Sequence, residues 1–200
     1  MITLIDYGMG NLKSLANAFE SIGARVQFAS TPKDIESATK LVFPGVGNFG
    51  KAVEQLKKKG LDKAIKKSIQ NNTPFLGICL GLQLLFEKSR EAPNSRGLGI
   101  FKGEVLKFKG VKVPHIGWNQ IRIIKQNSLF KKVKSKSFAY FMHSFYALPS
   151  EKKVVLAKTD YKIDFCSAVA KNNVFGVQFH PEKSGGIGLE ILKNFIEFSC

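Results

Sequence analysis

Gly77-Ile78-Cys79-Leu80-Gly81 sets a thiol between two glycines, behind an apolar lead-in (Phe75, Leu76) and ahead of an apolar run at helical spacing (Leu80, Leu82, Leu84, Leu85, Phe86). A strand, a tight glycine-flanked turn and a helix make the geometry in which a G-x-S-x-G elbow presents its serine, here with sulfur as the nucleophile. A side chain at either glycine would crowd a backbone doubled back on itself. A helix starting at the cysteine would aim free N–H groups and its positive dipole end at the sulfur, which favours thiolate. Far along the chain, Val174-Phe175-Gly176-Val177-Gln178-Phe179 reads as a buried strand running into His180-Pro181-Glu182. Positions i and i+2 of an extended segment share a side, and Pro181 holds the segment extended, so His180 and Glu182 are placed to touch. Thiol, imidazole and carboxylate are the parts of a nucleophile, base and orienter triad. Taken alone, the first run also fits a buried structural cysteine on a tight turn.

The order Cys, His, Glu, the elbow and the Phe179-His180-Pro181-Glu182 run together resemble the class I, triad-type glutamine amidotransferases over essentially the whole chain. Leu41-Val42-Phe43-Pro44-Gly45-Val46-Gly47 is similar to the loop that supplies an oxyanion-hole amide in that class. Three further runs narrow the resemblance to the glutaminase subunits of imidazole glycerol phosphate synthase. They are Asp6-Tyr7-Gly8-Met9-Gly10-Asn11-Leu12, Pro114-His115-Ile116-Gly117-Trp118-Asn119 and Tyr140-Phe141-Met142-His143-Ser144-Phe145. The Pro114–Asn119 run is the specific one, since many relatives share the elbow.

That resemblance implies hydrolysis of glutamine to glutamate and ammonia with Cys79, His180 and Glu182 as the triad. It implies backbone oxyanion donors at Leu80 and at Val46 or Gly47, and glutamine held by Gly47, Gln83 and the His143, Ser144 and Phe145 backbone. It implies no metal and no cofactor. It also implies a heterodimer with a (β/α)8-barrel cyclase subunit, to which ammonia passes, docked on a rim that carries Asn11, Trp118 and Lys183. Val46 stands where the resemblance leads one to expect glycine. A β-branched residue narrows the loop's backbone choices, so the oxyanion amide is expected to need the partner to place it. His115 and His143 lack metal-ligand spacing and read as structural or interface histidines. Gln83 also fits a polar residue on an exposed helix face.

Length and composition set bounds. Two hundred residues suit one domain spanning 1–200 with a sizeable core. The start lacks the basic and long apolar regions of a signal peptide, and no stretch approaches a membrane span. Three cysteines (Cys79, Cys166, Cys200) leave an odd thiol, as expected of a reduced cytoplasmic protein. Cys166 reads as core and Cys200 as terminal. The formal charge of +16 is almost all lysine, with only Arg25, Arg90, Arg96 and Arg122 as arginines. The lysines are scattered and no nucleic-acid motif is present, so the charge reads as a solvated surface that favours acidic partners or anionic metabolites.

The first half alternates strand and helix: strands at 2–6, 25–29 and 41–43, helical spacing at 12–22 closed by Gly23, and two short helical patterns before the elbow. Such alternation predicts a parallel sheet with helices on both faces and catalytic groups at the strands' carboxyl ends. Strand-like segments at 103–108, 121–124, 139–141, 154–158, 167–170 and 174–178 predict antiparallel strands extending the sheet, with a hairpin turn at Asn172-Asn173 and a closing amphipathic helix. Residues 91–99 read as a surface loop. The expected fold class is thus α/β, a three-layer α/β/α domain with a largely parallel sheet. Three other functions fit parts of the pattern: a paralogous glutaminase serving another acceptor such as a surface sugar or a pyridoxal-phosphate-type synthase, a stand-alone γ-glutamyl hydrolase, and a basic binding protein with an inert cysteine.

Overall fold

In the computed structural model, residues 1–8 and 11–199 are described. Met9 and Gly10, inside the 6–12 run, and the terminal thiol of Cys200 lie outside the described residues. The chain opens with β1 (Ile2–Ile5), α1 (Leu12–Ser21), β2 (Val26–Ala29), α2 (Pro32–Glu36), β3 (Leu41–Phe43), α3 (Phe49–Lys58), α4 (Leu61–Gln70), β4 (Phe75–Ile78) and α5 (Leu80–Leu84). It continues through β5 (Phe86–Ser89), β6 (Phe101–Lys107), β7 (His115–Ile123), β8 (Ser137–His143), β9 (Phe145–Pro149), β10 (Val155–Asp160), β11 (Asp164–Lys171) and β12 (Val174–Val177), and closes with α6 (Gly185–Glu197).

Neighbouring strands run in the order β2-β1-β3-β4-β12-β11-β10-β7-β8, with β9 paired to β11, β6 to β9 and β5 to β6. The block from β2 to β12 is parallel, while β12-β11, β11-β10, β10-β7 and β7-β8 are antiparallel. Strand β12 is therefore the seam. It comes last in sequence yet lies beside β4, which brings the His180 segment next to the elbow. Alternation along the central strands splits the core into two layers. Phe43, Phe75 and Ile5 pack with α3 and α4 residues such as Leu56 and Ile65 on one face. Val42, Leu76 and Leu4 pack with Phe19, Ile191 and Phe195 from α1 and α6 on the other. The helix starts are capped as polar side chains at such positions require: Asn11 and Asn48 accept from the N–H groups of Ser14 and Lys51. Thr31 and Asp34 form a reciprocal capping box on α2.

Five details depart from the sequence reading. The 174–178 strand, expected among the antiparallel additions, pairs in parallel with β4 inside the sheet. Helix α2 is too short to give a periodic signal. The elbow helix ends at Leu84, and Phe86 begins a strand instead of extending it. The run Leu84-Leu85-Phe86 is buried throughout, so apolar spacing could not mark that boundary. Strands β7 and β8 are longer than expected because their outward residues are apolar too. Strand β9 went unseen, since Phe145–Pro149 lacks clean alternation. The hairpin at Asn172-Asn173 is present, with Asn172 at φ 54°.

Candidate active site

Cys79 follows β4 directly and has φ 52°, ψ −105°, a region that non-glycine residues enter at a cost of about 1–3 kcal/mol. Its neighbours hold it there. The Cys79 N–H donates to the Val177 carbonyl at 2.8 Å. A Cβ on Gly77 would sit 2.6 Å from the Gly81 carbonyl oxygen, and one on Gly81 would sit 2.2 Å from that of Phe43. Gly77 is thus required by the turn itself, whereas Gly81 is required by the adjacent strand β3.

His180 is buried and extended, with its N–H bound to the Tyr140 carbonyl at 2.8 Å. Its Nδ1–H donates to Oε1 of Glu182 at 2.8 Å, which fixes the tautomer and leaves Nε2 as the working nitrogen. The expected contact is made by a different route: Pro181–Lys183 is a turn of 3-10 helix, not an extended segment. Ser184 Oγ closes that turn onto the His180 carbonyl at 2.6 Å. Burial pulls the His180 pKa down, but the negative sulfur of Cys79 and the Glu182 carboxylate outweigh it, and the imidazole is raised to about 10. Nε2 of His180 and Oε2 of Glu182 are buried without a partner at hydrogen-bond geometry, while the His180 ring lies close enough to the Cys79 sulfur for the two to interact.

The cleft in front of the sulfur is about 240 Å³ and is lined by Gly45, Val46, Gly47, Cys79, Leu80, Gln83, Glu91, Pro114, Met142, His143, Ser144 and Phe145. All the positions expected to form the oxyanion hole and hold substrate therefore border one space. The Leu80 N–H, however, donates to the carbonyl oxygen of Gly45 at 3.4 Å. Gly45 lies so close that a Cβ there would be 2.5 Å from the Leu80 nitrogen. The loop thus occupies the amide that a developing oxyanion would need.

The class I glutamine amidotransferase profile matches residues 3–198. The chain belongs to the class I glutamine amidotransferases. Within that family it is 48% identical over 198 residues to imidazole glycerol phosphate synthase subunit HisH of Methanothermobacter thermautotrophicus, covering 98% of each chain. It is 50% identical over 200 residues to the subunit of the same name from Thermococcus kodakarensis, again covering 98% of each. A crystal structure of a glutamine amidotransferase superposes with TM-score 0.78 at 16% identity, over 97% of this chain and 98% of that one. At that identity the match speaks for the fold.

The amidotransferase cleft is backed by two connected polar chains. In the first, His143 Nδ1–H donates to the Phe145 carbonyl at 2.8 Å, so His143 Nε2 is an acceptor and takes the Nδ1–H of His115 at 3.1 Å. His115 Nε2 then accepts from Asn119 Nδ2 at 3.3 Å. Burial holds both rings neutral, lowering His115 to about 4 and His143 to about 3. Their ring nitrogens are engaged within this chain, in keeping with a structural reading, and His143 also borders the cleft. In the second chain, Gln83 Nε2 donates to the Phe145 carbonyl (3.0 Å) and to Gln178 Oε1 (3.2 Å), which leaves its own oxygen for the cleft. Gln83 is buried, not on an exposed helix face. Cys166 is a buried core thiol pushed up to about 12 by burial.

Trp118 is 56% exposed and meets Tyr140 edge-on at 5.9 Å. The Lys183 ammonium lies 5.8 Å over the same ring, so two of the three expected rim residues gather on Tyr140. Asn11 is exposed and serves as the cap of α1, the helix that packs against the 181–183 turn. Sequence reasoning missed Glu91, which sat in an apparently featureless loop. It accepts from the Phe49 N–H at 2.8 Å and borders the cleft. It also missed Gln178, although its spacing of two from His180 was a usable signal.

The buried histidines set a pH dependence. A His whose folded pKa is depressed costs stability as pH falls from the unfolded value near 6.5 toward the folded one, because only the unfolded state takes the proton. The His180 contribution has the opposite sign: it is complete below pH 6.5 and lost toward about 10. Between pH 6.5 and 5 the His115 and His143 loss therefore dominates, and urea unfolding should show stability falling by about 2–4 kcal/mol. A flat profile over that range would mean that the pair accepts a proton in the folded state.

Proposed function

We propose that this protein is the glutaminase subunit of an imidazole glycerol phosphate synthase. It hydrolyses glutamine and passes the ammonia to a (β/α)8-barrel cyclase subunit in cytoplasmic histidine biosynthesis, and residues 1–200 form one amidotransferase domain. The observation that carries the reading is the convergence of Cys79, His180 and Glu182 at the carboxyl ends of adjacent parallel strands, with Cys79 lining a cleft sized for an amino acid.

The Cys79 thiolate attacks the carboxamide carbon, and the imidazolium of His180 protonates the departing ammonia through Nε2. His180 then activates the water that clears the thioester, while Glu182 keeps the tautomer and balances the charge. Each tetrahedral intermediate carries an oxyanion. Leu80 N–H and an amide from Val46 or Gly47 stabilise it, and one such donor contributes about 3–4 kcal/mol. Since the Gly45 carbonyl holds Leu80 N–H in this state, the loop must shift before that contribution is available. Gly47, the Gln83 oxygen and the His143, Ser144 and Phe145 backbone hold glutamine. Among the described residues lining the cleft, Glu91 is the one carboxylate and is the complement of the α-ammonium.

Strands β7 and β8 support a partner on this rim. Their register pairs Ile116 with Met142, Trp118 with Tyr140 and Gln120 with Phe138, so one face presents Ile116, Trp118 and Phe138, each more than half exposed. A contiguous apolar ribbon of this kind marks an association surface. It starts at Met142, which lines the cleft, so a partner seated there covers the exit that ammonia needs. Asn11, Trp118 and Lys183 belong to that interface, with an acidic partner residue opposite Lys183. A stand-alone hydrolase has no use for such a ribbon.

Cys79→Ala should abolish glutamine hydrolysis while the complex still makes product from added ammonium salt, because acceptor chemistry belongs to the other chain. Glutamine turnover above a few per cent of the native rate would remove Cys79 from the mechanism. Lys183→Glu should lower partner-stimulated turnover at least tenfold (about 1.4 kcal/mol) with little effect on the basal rate, and Trp118→Ala should weaken the complex measured by calorimetry. Equal losses with and without partner, or unchanged affinity, would put the partner elsewhere.

A further inference from the structure

The triad accounts for the proton that Cys79 loses but leaves the sulfur's own surroundings unexplained. Besides His180, two groups of the described chain lie against Sγ. The Met142 carbonyl oxygen, at 3.9 Å, is positioned only to accept a thiol proton. The side-chain amide of Gln178, at 3.5 Å, directs Nε2–H at the sulfur. A carbonyl cannot stabilise a thiolate; an amide N–H can, because hydrogen bonding to the charged form favours that form.

Gln178 cannot easily turn away. Its side chain is fully buried and its backbone N–H is bound to the Ser167 carbonyl at 2.9 Å. An amide can present either its oxygen or its NH₂ to a neighbour, and here the choice is made by Gln83. Both Gln83 N–H groups donate, one to the Phe145 carbonyl and one to Gln178 Oε1. Gln178 must therefore offer oxygen to Gln83 and nitrogen to Cys79. The Phe145 carbonyl is held from its other side by His143 Nδ1–H, so the orientation is fixed through a run of satisfied buried groups. We propose that Gln178 is a further catalytic residue: its side-chain amide is a fixed hydrogen-bond donor to the Cys79 thiolate, and Gln83 is the positioning residue that orients it.

The role fits the energetics of the site. His180 balances the sulfur's charge only while it keeps its proton, and it gives that proton to the leaving ammonia. When the thioester is hydrolysed, His180 has taken the water's proton and again faces the thiolate as imidazolium, and the amide donor, which never titrates, adds its hydrogen bond to that charge pairing. Gln178 and His180 thus supply two kinds of stabilisation from two same-side positions of one segment.

The proposal extends the glutaminase reading, and its test reads sulfur reactivity without glutamine. Alkylation of Cys79 by iodoacetamide, followed peptide by peptide so that Cys166 and Cys200 are scored separately, should slow about tenfold at pH 7 in Gln178→Met, as expected when a hydrogen bond to a charged group is lost. Gln178→Glu should slow it further, because a carboxylate then faces the sulfur. Gln83→Met should cause a smaller loss, since Gln178 remains but is free to flip. Thermal unfolding of each variant reports whether the fold is kept. In the native chain, the Gln178 side-chain amide proton signal should move with pH, and that movement should vanish in Cys79→Ala; this arm stands even if the Gln178 variants do not fold. Alkylation within twofold of native in folded Gln178→Met, or an amide signal that ignores Cys79, would overturn the assignment. Loss of glutaminase activity with normal alkylation would instead point away from the sulfur and leave the triad reading untouched.

Discussion

Everything at this site depends on a cysteine held where its backbone would not rest by itself. Cys79 at φ 52° is tolerated because three strands grip the turn around it: its N–H is bound by β12, Gly81 is pressed to the carbonyl of Phe43 in β3, and β4 leads in beneath. Strain of this kind persists only where the surroundings over-determine it. The grip also explains the topology. Placing β12 beside β4 puts Val177 against the elbow and, three residues later, His180 against the sulfur.

Close packing of the elbow has a second consequence. The glycine that lets the 44–47 loop approach, Gly45, comes near enough for its carbonyl to take the Leu80 N–H. In the proposed mechanism the nucleophile is therefore assembled while the Leu80 amide is still taken by the loop. The apolar ribbon of Ile116, Trp118 and Phe138 continues from the cleft's own lining at Met142. In the proposed complex, a partner seated on that ribbon would press on the same wall that shapes the cleft, and docking and loop position would be linked by that route. Val46 adds to the effect, since its branched side chain narrows the loop's alternatives.

Much of this was legible in the sequence because its causes are local. The elbow is written in five residues, and the His180–Glu182 pair in three. Parallel alternation in the first half predicted the strand ends at which Cys79 and the 44–47 loop would lie, but not that the strand before His180 would join the parallel block. What was hidden depends on three-dimensional partners. Gly81 is required by β3, forty residues away in the chain. The roles of Gln83 and Gln178 depend on which amide end faces which neighbour, and spacing carries no such information. Glu91 reaches the cleft from a loop whose composition gives no signal. The contact between His180 and Glu182 was expected for a partly wrong reason, since a 3-10 turn makes it. The buried neutral pair of His115 and His143 was readable as structural, but its proton order follows only from the Phe145 carbonyl.

The most direct test of the account is the position of the Gly45 carbonyl in a crystal structure of Cys79→Ala bound to glutamine and to the cyclase subunit. The account predicts that this carbonyl has left the Leu80 N–H, which then points toward the glutamine carboxamide oxygen and lies about 2.7–3.1 Å from the position that oxygen takes as an oxyanion. A structure with glutamine seated in the stimulated complex, and the Gly45 carbonyl still accepting from Leu80, would contradict it.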